Sequence, residues 1–168
     1  MRRVIVDGYN VLLGSARYAE LAERDLDAAR ILLIADLGAR AAEGEPVTVV
    51  FDGAGNPGSD GEPISIGGVT VVFSPYGVDA DTVIEAMAAQ ARAAGEAALV
   101  VTTDAATRWT ALGGTVTVQR SDAFADELAG DEDGWREHAG RPHRATVSDH
   151  MDSATRSRLS RISRGESS

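Results

Sequence analysis

The sequence has no cysteine and no lysine. The first absence excludes thiol nucleophiles, zinc–thiolate centres and disulfide frameworks. The second removes the lysine that a phosphate-binding loop needs, so the Gly-rich segment 53–63 is not read as a nucleotide triphosphate site. Long apolar runs are missing as well. The chain opens Met1-Arg2-Arg3-Val4-Ile5-Val6-Asp7, an apolar run too short for a secretory signal, and nothing later approaches a membrane span. A cytoplasmic protein without membrane association is expected. Positive charge is sparse: 16 arginines face 26 acids, for a formal net charge of −10. That balance argues against a simple electrostatic grip on nucleic acid.

What is present suffices for one folded domain. A chain of 168 residues with 43% hydrophobic content buries a core without disulfides or structural metal. Charge divides the chain unevenly. From Arg141 onward six arginines meet Asp149, Asp152 and Glu166, a balance of +3, whereas residues 1–140 hold ten arginines and 23 acids, a balance of −13. The expected organisation is a domain over 1–140 followed by a basic, flexible tail over 141–168, with one or two helical turns around 154–162.

Residues 3–6 form a β-branched run ending in Asp7-Gly8, a buried strand stopped by a turn. Leu26, Ala29, Leu33, Leu37 and Ala41 recur at helical spacing and predict a helix over about 25–43, with Gly44 as its stop. Pro46 introduces a second strand over 47–51, again ending in Asp-Gly. A Gly/Pro/Asn/Asp-rich loop follows, then a third strand over 69–73, with a short candidate strand before it at 64–66. Asp79-Ala80-Asp81-Thr82 opens an Ala-rich helix to about 94. A fourth strand over 97–102, a short helix carrying Trp109, a fifth strand over 115–118 and a helix capped by Ser121 complete the pattern. Alternating strands and helices predict a three-layer α/β/α fold around a central, mainly parallel sheet of about five strands.

In open α/β sheets, sites form outside the carboxyl ends of the strands. Three strands end in an acid there: Val6 to Asp7, Phe51 to Asp52, and Thr103 to Asp104. Asp81 lies in the first turn of the helix after the third strand, and Asn10 adds an amide oxygen. Crowded carboxylates repel one another, and a cation removes the conflict; Mg²⁺ and Mn²⁺ suit oxygen donors. The pattern points to phosphodiester hydrolysis by metal-activated water. Asp7 and Asp104 are assigned as core metal ligands. Asp81 is a third ligand or orients water, and Asp52 and Asn10 complete the site through waters or touch substrate. Plainer readings stand beside these: a strand-ending turn at Asp7-Gly8, helix caps at Asp79 or Asp81 and at Asp104, and a local backbone bond for Asn10.

Val4-Ile5-Val6-Asp7-Gly8-Tyr9-Asn10-Val11, Val49-Val50-Phe51-Asp52-Gly53, Ala80-Asp81-Thr82-Val83-Ile84-Glu85 and Val100-Val101-Thr102-Thr103-Asp104 together resemble the NYN domain, in its YacP-like bacterial branch. The match runs in order from Val4 to about Leu128. NYN domains are similar to PIN nucleases in fold. The resemblance implies an RNA-cleaving domain dependent on Mg²⁺ or Mn²⁺, and it implies site positions at Asp7, Asn10, Asp52, Asp81 and Asp104. The family's serine before the last Asp is Thr103 here, which keeps a hydroxyl.

Other residues have two readings each. Tyr9 stacks on a base or packs beside the first strand. Arg108 reaches a phosphate or forms a surface ion pair. The tail arginines hold RNA or merely solubilise the end. Trp109 is read as core. Trp135 covers a hydrophobic seam or meets a partner. His138, His143 and His150 lack metal-ligand spacing and receive no role. The leading expectation is an endoribonuclease acting on RNA, with ribosome-presented mRNA as one route around the acidic body. Its alternatives are a non-catalytic RNA- or ribosome-binding module and a phosphatase of small phosphate esters, which strand one disfavours by lacking an Asp-x-Asp pair. The oligomeric state stays open.

Overall fold

Short runs of valine and isoleucine, stiff at the β-carbon, build the sheet. A computed structural model describes residues 1–103, 114–138 and 153–164. Its strands are β1 (Arg2–Asp7), β2 (Val47–Phe51), β3 (Ile64–Ile66), β4 (Val69–Phe73), β5 (Ala97–Val101) and β6 (Val116–Gln119). They lie in the order β3-β4-β2-β1-β5-β6, all parallel except the β3–β4 hairpin. The sheet therefore has six described strands rather than about five, because the short segment at 64–66 does pair. Gly67 and Gly68, with φ of 58° and 82°, supply the left-handed backbone that a two-residue hairpin turn requires.

The helices are α1 (Gly8–Gly14), α2 (Ala16–Arg24), α3 (Leu26–Ala42), α4 (Ala80–Ala93), α5 (Ser121–His138) and α6 (Ser153–Arg164). Three features depart from the sequence reading. Asp7-Gly8 is not a turn: β1 passes straight into α1, and Ser15 ends α1 and caps α2. The helical piece expected around 154–162 is a helix of 12 residues. Ser121, read as a cap, is the first residue of α5, and its buried hydroxyl has no hydrogen-bond partner. The predicted helix with Trp109 lies outside the described residues.

Two cores flank the sheet. On one face Val11, Leu12, Tyr18, Leu33, Ile34, Leu37, Phe124, Leu128 and Leu159 pack on Val4, Val6, Val49, Phe51 and Val71. On the other, α4 lays Ala80, Ile84, Ala88 and Ala91 on Ile5, Val50, Val72 and Val100. Alternating residues of one strand thus feed opposite cores, which is what two covered faces demand. From β1 the chain winds to β2 and β4 on one side, then returns through α4 to β5 and β6 on the other. β1 and β5 sit where the winding reverses, the place where open α/β sheets form crevices outside the carboxyl ends of their strands.

A buried polar node joins α2 to α3. The fully buried Tyr18 donates its hydroxyl to Asp36 Oδ2 at 2.6 Å, and the Arg17 guanidinium reaches the same oxygen at 3.1 Å. Burial, with the Asp36 charge beside it, pushes the Tyr18 hydroxyl well above its ordinary pKa. A hydroxyl that ionises later in the folded state than in the unfolded one contributes stability below about pH 10 that is lost as pH rises further. Tyr18→Phe is expected to lower unfolding free energy by about 1.5–3 kcal/mol, the worth of a hydrogen bond to a charged group. Urea denaturation at neutral pH measures that loss, and a shallower decline of the variant's stability in alkali checks the titration.

Candidate active site

Asp7 ends β1 and caps α1 at once. It is 6% exposed; its Oδ1 accepts from the Asn10 backbone N–H at 3.2 Å and its Oδ2 from Asn10 Nδ2 at 2.8 Å. Asn10 Nδ2 also donates to Thr102 Oγ1 at 3.0 Å. The amide therefore bridges the carboxyl ends of β1 and β5, and its NH₂ group is spent on positioning Asp7. Immediate entry into α1 needs Gly8, since a Cβ there would stand 2.3 Å from Phe51 Cε1. Gly8 is selected by space and not by a left-handed φ.

Asp52 follows β2 and is exposed. Its Oδ1 accepts from Ala54 N–H at 2.9 Å, and its Oδ2 from Ala80 N–H at 3.4 Å, at the start of α4. Gly53 lets this corner close, because a Cβ would fall 2.2 Å from the Ser74 carbonyl. Asp79 is the cap of α4, accepting from Thr82 N–H at 2.8 Å and from its hydroxyl at 2.6 Å. Asp81 is half-buried in the first turn and is not the cap. Asp7, Tyr9, Asn10, Asp52, Asp79, Ala80 and Asp81 line one open cleft of about 280 Å³. It gathers four carboxylates, with no basic side chain among these lining residues.

Tyr9 packs beside the first strand and also faces the cleft. It lines the cleft, while its ring packs on Phe51 at 5.3 Å and its hydroxyl accepts from Arg30. Arg30, not singled out by the sequence, is 5% exposed and has its guanidinium 5.3–5.8 Å from the ring centres of Tyr9, Phe51 and Phe73. It pairs with Asp27 at 2.6 Å. Its spacing from Asp27, three residues along a helix, was the available signal. Thr103, expected to offer its hydroxyl, is exposed beside Gly14; the neighbouring Thr102 holds Asn10. Thr102 and Asp79 were thus missed as site residues. Asp104 and Arg108 lie outside the described residues.

The donor set is wholly oxygen and anionic. Among the described residues no three carboxylates or histidines gather tightly enough to hold an ion unaided. Mg²⁺ and Mn²⁺ tolerate that arrangement, since Mg²⁺ uses one or two carboxylates, keeps several waters and takes up substrate phosphate. The residues present fit such a cation.

A family model for the YacP-like NYN domain matches residues 4–164. The fold is similar to the crystal structure of Rae1 (YacP) from Bacillus subtilis, with 23% identity, a TM-score of 0.64, and coverage of 95% of this chain and 88% of that one. It is also similar to a tryptophan-to-leucine mutant of that protein, with 22% identity, a TM-score of 0.63, and coverage of 94% and 98%. No curated protein matches the sequence.

The contact at Gly8 yields a test. Gly8→Ala forces Phe51 to move and, with it, the ring of Tyr9. An overpacked site of this kind costs about 1–3 kcal/mol. Chemical denaturation reads the loss, and near-ultraviolet dichroism should report the shifted aromatics; unchanged values in both would contradict the packing described.

Proposed function

The chain belongs to the YacP-like NYN domain family, and on that premise we propose that it is an endoribonuclease that hydrolyses RNA phosphodiester bonds with Mg²⁺ or Mn²⁺. The family has a PIN-like nuclease fold. The observation that carries the reading is the position of Asp7: a buried carboxylate at the winding reversal of the sheet, aimed by Asn10, within a cleft of four acids. Asp7, Asp81 and Asp104 carry catalysis and, with Asp52, hold the cation. The cation, when bound, neutralises the phosphate and acidifies a water.

The chain's own groups do the rest. Asn10 fixes the rotamer of Asp7 through Thr102. The backbone N–H groups of Ala54 and Ala80 fix Asp52. Both Asp7 and Asp79 sit at helix N-termini, where the helix dipole favours ionised carboxylates. Tyr9 offers a ring edge to a nucleobase or ribose, and Asn10, Thr103 and Arg108 complete the contacts to RNA. The acidic body favours RNA that a larger assembly presents, such as mRNA on a ribosome. Among the described residues no helix is long and apolar enough to cross a membrane, and the cytoplasm is the proposed compartment.

Single-turnover cleavage of a structured RNA and of an mRNA–ribosome complex, titrated with Mg²⁺ and Mn²⁺, tests this. Loss of even an outer partner of a metal ligand costs about 10- to 100-fold; Asn10→Ala is expected in that range, and Asp7→Asn and Asp104→Asn at or beyond its upper end. Undiminished cleavage by both Asp variants would sink the assignment. RNA binding without turnover in any metal would favour the non-catalytic module instead.

A further inference from the structure

An acidic cleft on a net-acidic body needs a separate grip on a polyanion. The strongest positive segment among the described residues is α6, whose sequence holds Arg156, Arg158, Arg161 and Arg164 and no acid. It is docked rather than hanging. Leu159 is 1% exposed and belongs to the core on the α3 face, and the Ser160 hydroxyl donates to Asp27 Oδ2 at 3.3 Å.

That docking point fixes where the helix stands. α3 ends at Ala42, just before β2 begins at Val47, so its first turn lies at the carboxyl edge of the sheet. Asp27 belongs to that turn and pairs with Arg30, which donates to Tyr9 in the wall of the cleft. Ser160, Asp27, Arg30 and Tyr9 thus lead from α6 to the cleft along one edge. Arg156 and Arg161 are exposed on the docked helix.

From this we infer that α6 is the RNA-backbone grip of the protein: Arg156 and Arg161 hold phosphates of the strand that flanks the cleft. The inference rests on the ribonuclease reading above and names the surface that binds the substrate. Its physical basis is charge complementarity. Arginine forms forked hydrogen bonds to phosphate, and release of condensed counterions drives the association. A grip of this kind is indifferent to sequence and leaves discrimination to the cleft.

The test uses the full chain carrying Asp7→Asn, to prevent cleavage, and a fluorescein-labelled single-stranded RNA read by anisotropy across a salt series. Each phosphate contact contributes about 0.7 to the slope of log K against log salt for single strands. Arg156→Gln/Arg161→Gln should therefore lower that slope by about 1.4 and weaken binding about 25-fold at about 0.1 M salt. A control with the same charge change, Arg3→Gln/Arg92→Gln, alters residues at the opposite, amino edge of the sheet and should bind as the parent does. Equal binding by all three chains overturns the proposal alone, as does equal weakening in both doubles. No binding of RNA by the parent overturns the proposal, whereas the ribonuclease reading stands or falls on the cleavage assay above. Thermal unfolding of each chain is read alongside: a fall confined to the helix variant would assign these residues to folding and overturn the grip, and comparable midpoints in both doubles leave the binding difference to the RNA contact.

Discussion

The edge of this molecule depends on one carboxylate that does two structural jobs. Asp7 closes β1 and caps α1, so strand and helix join without a connecting residue. Everything nearby follows from that economy. Gly8 must be bare because the chain turns against Phe51. Tyr9 then lands on the Phe51 ring, and Asn10 arrives where one NH₂ group reaches both Asp7 and Thr102. A longer linker would free the helix to rotate, and the amide would no longer span two strands. A buried carboxylate also needs its hydrogen bonds, so the arrangement resists relaxation.

The other acids repeat the logic more loosely. Asp52 takes backbone N–H donors from its own loop and from the start of α4, and Asp79 caps α4. Helix cap and cleft wall are therefore not competing roles for a carboxylate here. The N-termini of two helices point at one crevice, and their positive ends lower the cost of holding several negative charges together. Capping explains why the acids fold into place; it does not exhaust their charge.

Much of this was legible because sheet edges obey simple rules. Strand-ending Asp7 and Asp52, and Asp81 one turn into a helix, could be assigned to one edge from order alone, and the cleft unites them. The choice between Thr102 and Thr103 was not legible: near a strand end, which of two neighbouring hydroxyls faces the partner strand depends on where the extended backbone stops. α1 and α2 escaped notice because seven and nine residues broken at Ser15 give too few turns for a periodic signal. Arg30 escaped because an arginine between Ala29 and Ile31 looks like an exposed helix position, and only the fold surrounds it with three rings. The seat of α6 is a contact across 133 positions of sequence, beyond any local pattern.

Arg30 shows how segregated charge along the chain becomes proximity in space. Burying a guanidinium is costly, and its Nε has no hydrogen-bond partner, a deficit of about 1–3 kcal/mol. Asp27 and the ring faces offset that cost, the latter by up to about 2 kcal/mol for a desolvated cation. The compensation works only if Asp27 stays in place and the rings of Tyr9, Phe51 and Phe73 stay stacked around the charge. Asp27 is in turn the residue on which α6 rests through Ser160. The Asp27–Arg30 pair thus links the basic helix, through Ser160, to the aromatic wall of the acidic cleft. Segments of opposite charge that the sequence keeps far apart meet along one edge, joined by an anion that serves both Ser160 and the cation packed on the rings.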